Sequence, residues 1–173
     1  MYLSLLGGII VSHIDLLKQT GLFDGLGVDD LKKIEKGCVE QAYPMGTVII
    51  QENDAPKEML FIIKSGEIVI ATSAPTIDAE TEGTESFLTT LGPGDAFGEI
   101  SLIDRNPHSA KVQTISDSIL LLLSGKYFFS LVENDKNIGF VVVTNIAKVI
   151  CQRLRSSNFS AKHFGMFGKL GPC

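Results

Sequence analysis

Between residues 38 and 123 the chain breaks into short β-rich runs separated by turn residues. That spacing constrains the fold more than any other feature of the sequence. The runs cover residues 38–43, 47–51, 59–64, 67–72, 88–91, 111–115 and 118–123. They are rich in Val, Ile and Thr, which suit a pleated, half-buried surface. Pro44-Met45-Gly46, Asn53-Asp54-Ala55-Pro56, Ser65-Gly66 and Gly92-Pro93-Gly94-Asp95 supply the turns. Strands recurring at roughly ten-residue intervals predict a mainly β sandwich or barrel. The run Ile119-Leu120-Leu121-Leu122-Leu123 is wholly apolar, as a strand covered on both faces should be. Residues 73–86 carry Asp78, Glu80, Glu82 and Glu85 and read as a long, solvated hairpin loop.

Helical patterns flank this region. Residues 1–17 are apolar but interrupted by Gly7-Gly8, His13 and Asp15, short of the ~20 apolar residues a spanning helix needs. There is no basic leading region or small-x-small cleavage site. The expectation is a helix over 9–18 that packs on the domain, with no membrane contact. A short helix should start at Val28, with Asp29 and Asp30 in its first turn, Leu31 and Ile34 on one face, and Gly37 after its end. After residue 124 the period changes again. A helix is expected over 125–133 and a long one over 137–158. On the long one Phe140, Val143, Ala147, Ile150 and Leu154 alternate at three and four residues, forming a seam. Ile138, Val142, Ile146 and Val149 form a neighbouring apolar face. One face can cover the sheet, and the other asks for a second copy of the chain, with Lys148, Arg153 and Arg155 at the rim. The tail over 159–173 holds Phe159, Phe164, Phe167, Lys162 and Lys169. Its Gly165, Gly168 and Gly171 weaken any helix, so it is expected to pack back or to dock a protein partner.

Charge and composition exclude several functions. The net charge is -5, with six basic residues and no acid from Lys136 onward. The part before it therefore carries nine basic against 20 acidic residues. Bulk nucleic-acid binding is not expected from such a chain. Cys38, Cys151 and Cys173 are far apart and odd in number, which fits reduced thiols in the cytoplasm. His13, His108 and His163 are also dispersed, so no metal centre is expected. Neither Gly-x-Ser-x-Gly nor a Walker loop occurs, so the chain reads as a non-enzyme without a cofactor.

The stretch most able to hold a ligand is residues 97–110, Phe-Gly-Glu-Ile-Ser-Leu-Ile-Asp-Arg-Asn-Pro-His-Ser-Ala. Gly98 permits close backbone approach. The amides that open the helical turn at 100–103 favour an anion, and Glu99 is an acceptor for hydroxyls. Asn106-Pro107 breaks the turn before His108 and Ser109. This stretch resembles the phosphate-binding cassette of the cyclic nucleotide-binding domain family, Phe-Gly-Glu-x-x-Leu followed by Pro-Arg-Ser/Thr-Ala. Leu22-Phe23, Tyr43-Pro44-x-Gly46 and Phe61-Ile62-Ile63-x-x-Gly66 resemble its lead-in helices and β-roll. The resemblance covers about residues 17–158, with 1–16 as an extension and 159–173 as a tail. It implies a β-roll, or double-stranded jelly roll, with N-terminal helices and a long C-terminal helix. It also implies a cyclic phosphate held by the amides of Gly98, Ile100, Ser101 and Ala110 and the hydroxyl of Ser109. Glu99 would take the ribose 2′-hydroxyl, and Ser157 and Asn158 would meet the base. Bacterial members commonly dimerise through the long helix.

The departure is His108, which stands where the family has its phosphate-binding arginine. A neutral imidazole offers one donor and no charge. Losing a charge-assisted bond costs about 1.5–3 kcal/mol, roughly ten- to hundred-fold in affinity. If the ring faces the phosphate, protonation should help and binding should strengthen at pH 6. Arg105 could bend in instead. The expectation is a sensor or regulatory module that binds cAMP, or else cGMP, weakly. With fifteen residues after Asn158, no DNA-binding helix-turn-helix or other output domain is expected. The alternative is a structural dimerisation or docking module that has lost its ligand.

Overall fold

The computed structural model describes residues 12–73 and 85–167, without the side chains of 85–87 and 156–167. Eight strands among the described residues are β1 (Cys38–Tyr43), β2 (Val48–Ile50), β3 (Met59–Ser65), β4 (Ile68–Ser73), β5 (Glu85–Leu91), β6 (Ala96–Phe97), β7 (Lys111–Thr114) and β8 (Ser118–Ser124). They form two four-stranded sheets, ordered β1-β8-β3-β6 and β2-β7-β4-β5, with antiparallel pairing throughout. The seven expected runs all appear, and the short β6 is an addition. The expected acidic loop falls, over residues 74–84, outside the described residues.

The apolar run in β8 explains how the layers stack. Leu120 packs between the sheets with Phe61, Ile63, Ile68, Phe97 and Val112. Leu121 and Leu123 point the other way, into a second core with Leu16, Leu17, Phe128, Ile138, Val142 and Ile146. All three leucines are fully buried, worth about 1.5–3 kcal/mol each. The β3–β4 turn depends on Gly66. Its φ is +89°, and a Cβ there would lie 2.2 Å from the Ser118 hydroxyl.

The second core is roofed by helices. α1 (His13–Gln19) begins at Ser12, whose hydroxyl accepts from the Asp15 amide at 3.1 Å. The helix therefore starts later than expected, because the cap fixes its first turn. A 3₁₀ turn (Gly21–Phe23) and α2 (Val28–Glu35) follow. α3 (Glu99–Asp104) sits between β6 and β7, and α4 (Gly125–Asn134) follows β8. α5 runs from Lys136 to Phe167, past the end expected at residue 158. Gly165 costs only about 1 kcal/mol in a helix interior, too little to stop one already propagating. Residues 1–11 and 168–173 lie outside the described residues. No helix among the described residues is long and apolar enough to cross a membrane.

The two faces of α5 separate as its periodicity predicts. Ile138, Val142 and Ile146 are fully buried against the domain. Phe140, Val143, Ile150 and Leu154 are 74%, 45%, 37% and 60% exposed. Asn145, buried on the inner side, donates to the Leu22 carbonyl at 3.2 Å and the Asp24 carbonyl at 2.9 Å. These bonds tie the helix to the 3₁₀ turn.

Candidate functional site

β6 delivers the chain to Gly98, whose φ of +85° turns it sharply into α3. A Cβ at this position would stand 2.6 Å from the Met59 carbonyl oxygen. The glycine is therefore demanded by the backbone of β3 as well as by any ligand. α3 buries Glu99, Ser101 and Leu102 and exposes Ile100 and Ile103. Its end is a left-handed Arg105, whose amide donates to the Ser101 carbonyl at 3.1 Å. Arg105 does not bend into the loop. It is exposed, with Nε 3.8 Å from Glu58 and its guanidinium 5.4 Å from the Phe129 ring centre.

The two ends of the loop meet through His108. Its ring is 4% exposed. Nε2 accepts the Lys57 amide at 3.0 Å, and Nδ1 lies 2.8 Å from the Ser101 hydroxyl. Because Nε2 accepts a hydrogen bond, the neutral ring carries its proton on Nδ1, and that N–H donates to the Ser101 hydroxyl. Both nitrogens are thus used within the protein. This differs from the expectation of a ring donor aimed at a phosphate, and it removes the reason for tighter binding at pH 6. Burial, then the nearby Lys57 charge, holds the His108 pKa below the ordinary histidine value, with Asp54 opposing. Beside it Ser109 is exposed and Ala110 half-buried.

Glu99 is the most enclosed acidic group of the loop, at 2% exposure. Its Oε1 pairs with Arg153 Nη1, and Arg153 Nη2 donates to the Ala96 carbonyl at 3.1 Å. Burial raises the Glu99 carboxyl above the usual carboxylate range, and the Arg153 charge pulls part of that back. Arg153 is accordingly a site residue, not a rim residue of the outer seam. The sequence did carry a signal for it. Ile138, Val142, Ile146 and Val149 step along one stripe at helical spacing, and Arg153 is the next position on that stripe. A cation on a buried stripe needs a buried acceptor.

The structure therefore brings Gly98, Glu99, Ile100 and Ser101 together with His108, Ser109 and Ala110 at one end of the roll. Ser157 and Asn158 continue α5 beyond Arg153, and their side chains lie outside the described residues. A cleft of about 310 Å³ opens nearby between the sheets, lined by Tyr43, Ile49, Lys57, Met59, Phe61 and Leu122 among others.

An antiparallel β-roll, a short helix headed by a glycine and a buried carboxylate, and a long helix after them define a jelly roll of the cyclic nucleotide-binding type. The chain belongs to the cyclic nucleotide-binding domain family, whose profile matches residues 40–135. It is 27% identical over 144 residues to the CRP-like cAMP-activated global transcriptional regulator of Mycobacterium tuberculosis, covering 83% of this chain and 59% of that one. The chain thus spans about three-fifths of that relative's length. The crystal structure of Thermus thermophilus catabolite activator protein superposes with a TM-score of 0.71 at 26% identity, over 84% of this chain and 63% of that one. The regulatory domain of Toxoplasma gondii PKA, solved with cAMP, superposes with a TM-score of 0.61 at 30% identity, over 69% and 42%.

Proposed function

We propose that this domain is a cyclic nucleotide sensor, taking cAMP ahead of cGMP, and that it acts as a regulatory module. The observation that carries this is Glu99: a carboxylate 2% exposed at the head of α3, in a loop where Gly98, Ser101 and Ser109 stand at the family's positions. Buried carboxylates need partners, and ribose hydroxyls would serve as one. Arg153 pairs with that carboxylate. A nucleotide that takes Glu99 must share or displace Arg153, which ties ligand binding to the position of α5. Affinity should be micromolar or weaker, because both His108 nitrogens are engaged by the protein and no arginine fork reaches the phosphate from position 108.

Titration calorimetry with cAMP and cGMP on the native chain tests this. Saturable heat that disappears in Glu99→Ala is the expected result. Absence of heat at millimolar ligand would remove the proposal. One observation favours a second reading, a docking module without a ligand. Glu99 already has a protein cation, so the loop is satisfied as it stands. Mass spectrometry of the purified protein separates the two, since a retained nucleotide is incompatible with the second.

A further inference from the structure

His108 ties two parts of the chain together with one residue. Its ring bridges Ser101 on α3 and the Lys57 amide in the β2–β3 connection. Its backbone is held by the same connection twice: the Asn53 amide donates to the His108 carbonyl at 2.8 Å, and the His108 amide donates to the Asp54 carbonyl at 3.0 Å. The Lys57 bond works only while Nε2 keeps its lone pair. A protonated ring presents N–H at both nitrogens, so at Nε2 two donors face each other and the bond is lost.

We propose that His108 is a positioning residue whose neutral ring adds a tie from α3 to the Lys57 amide that protonation breaks, so that nucleotide binding is proton-sensitive. The ring does not touch the ligand. It acts through Ser101, whose amide and position belong to the first turn of the loop, and through the strand of chain that carries Lys57. The charged groups acting on the ring among the described residues are Lys57, which opposes the imidazolium, and Asp54, which favours it. From α3 the contact is the neutral Ser101 hydroxyl. A bound phosphate would favour the imidazolium through space. That attraction is softened by solvent and distance, whereas the loss of the Lys57 bond is direct and sets two donors against each other at a partly buried position. The expected sign is therefore opposite to that of a phosphate-facing histidine.

The inference rests on the nucleotide reading for its functional half, and the experiment separates the two. Ring-nitrogen and amide NMR on the free native chain comes first. The Nδ1–H tautomer at pH 7.5, with Lys57 amide protection lost as the ring titrates, is expected. An Nε2–H tautomer, or a Lys57 amide still protected when the ring is charged, overturns the proposal whether or not any nucleotide binds. Calorimetry with cAMP at pH 7.5 and 5.5 comes second. Native affinity should fall about three- to ten-fold at the lower pH, a range set by linkage to a single proton. In His108→Gln the side-chain carbonyl can accept the Lys57 amide without titrating, so the fall in affinity should shrink to whatever Glu99, its carboxyl raised by burial, contributes. Affinity that rises toward pH 5.5, or a Gln variant with the native pH profile, overturns the proposal. If no cAMP binds at either pH, the nucleotide reading fails and the NMR result alone decides the lock.

Discussion

The outer face of α5 yields a dimer prediction whose size can be worked from the structure. Phe140, Val143, Ile150 and Leu154 are exposed by 74%, 45%, 37% and 60%, roughly two side chains' worth of apolar surface on each copy. At about 1.5–3 kcal/mol per side chain, two copies gain about 6–12 kcal/mol by burying it. Association costs about 4–15 kcal/mol before any surplus appears. Only the largest gain set against the smallest cost leaves a surplus, about 8 kcal/mol, which is a micromolar dissociation constant; a nanomolar α5–α5 dimer is out of reach. Ala147, midway along the seam and also exposed, lets the helices approach closely. Such a thin margin makes the dimer fragile. Ile150→Glu would bury a charge opposite its own copy, costing several kcal/mol, so the variant should be monomeric. It should also stay folded, because Ile150 is not part of either core. Sedimentation velocity across the micromolar range, with circular dichroism to check folding, is the assay. A native chain that remains monomeric at high micromolar concentration refutes the reasoning. So does a folded Ile150→Glu chain that dimerises as well as the native one.

Gly98→Ala should destabilise the domain by about 2–4 kcal/mol in urea unfolding, from a left-handed φ and a Cβ driven into the Met59 carbonyl; an unchanged midpoint would show that β3 is free to yield. His108→Arg should tighten cAMP binding about five- to ten-fold by calorimetry. A charge-assisted bond, about 1.5–3 kcal/mol, outweighs the neutral Lys57 bond it breaks, about 0.5–1.5 kcal/mol. Asn145→Ala strips the Leu22 and Asp24 carbonyls of their shared donor and should cost about 1–3 kcal/mol of stability, measured by thermal or chemical unfolding.

The β-roll was legible because its strands carry two redundant signals, composition and turn spacing. Gly66 and Gly98 sit at positive φ where a side chain would strike Ser118 or Met59, so the turns are pinned by sterics that a sequence reader can anticipate as glycine. Helix ends were less legible. Ser12 caps α1 where hydropathy alone placed the start earlier, and α5 runs through Gly165 because one glycine is a small local cost. The orientation of His108 was not legible at all. Residue type says what a ring can do, but only the packing of the β2–β3 connection decides which way its nitrogens face.

Arg153 shows how the two halves of the site combine. On α5 it lies one residue before Leu154 and three after Ile150, yet it points at Glu99 while those two face solvent. A helix turns about 100° per residue, so adjacent positions serve opposite tasks on one rigid rod. The inner face carries the guanidinium that pairs with Glu99. The outer face presents the seam a second copy would cover. Any rotation or shift of α5 that follows release of Arg153 must move Ile150 and Leu154 with it, since they share one turn of helix. On the proposed nucleotide and dimer readings, ligand state and self-association would therefore be coupled through a single element. The strength of that coupling is the ratio of dimer affinities measured with and without nucleotide, and by linkage it equals the ratio of nucleotide affinities of dimer and monomer.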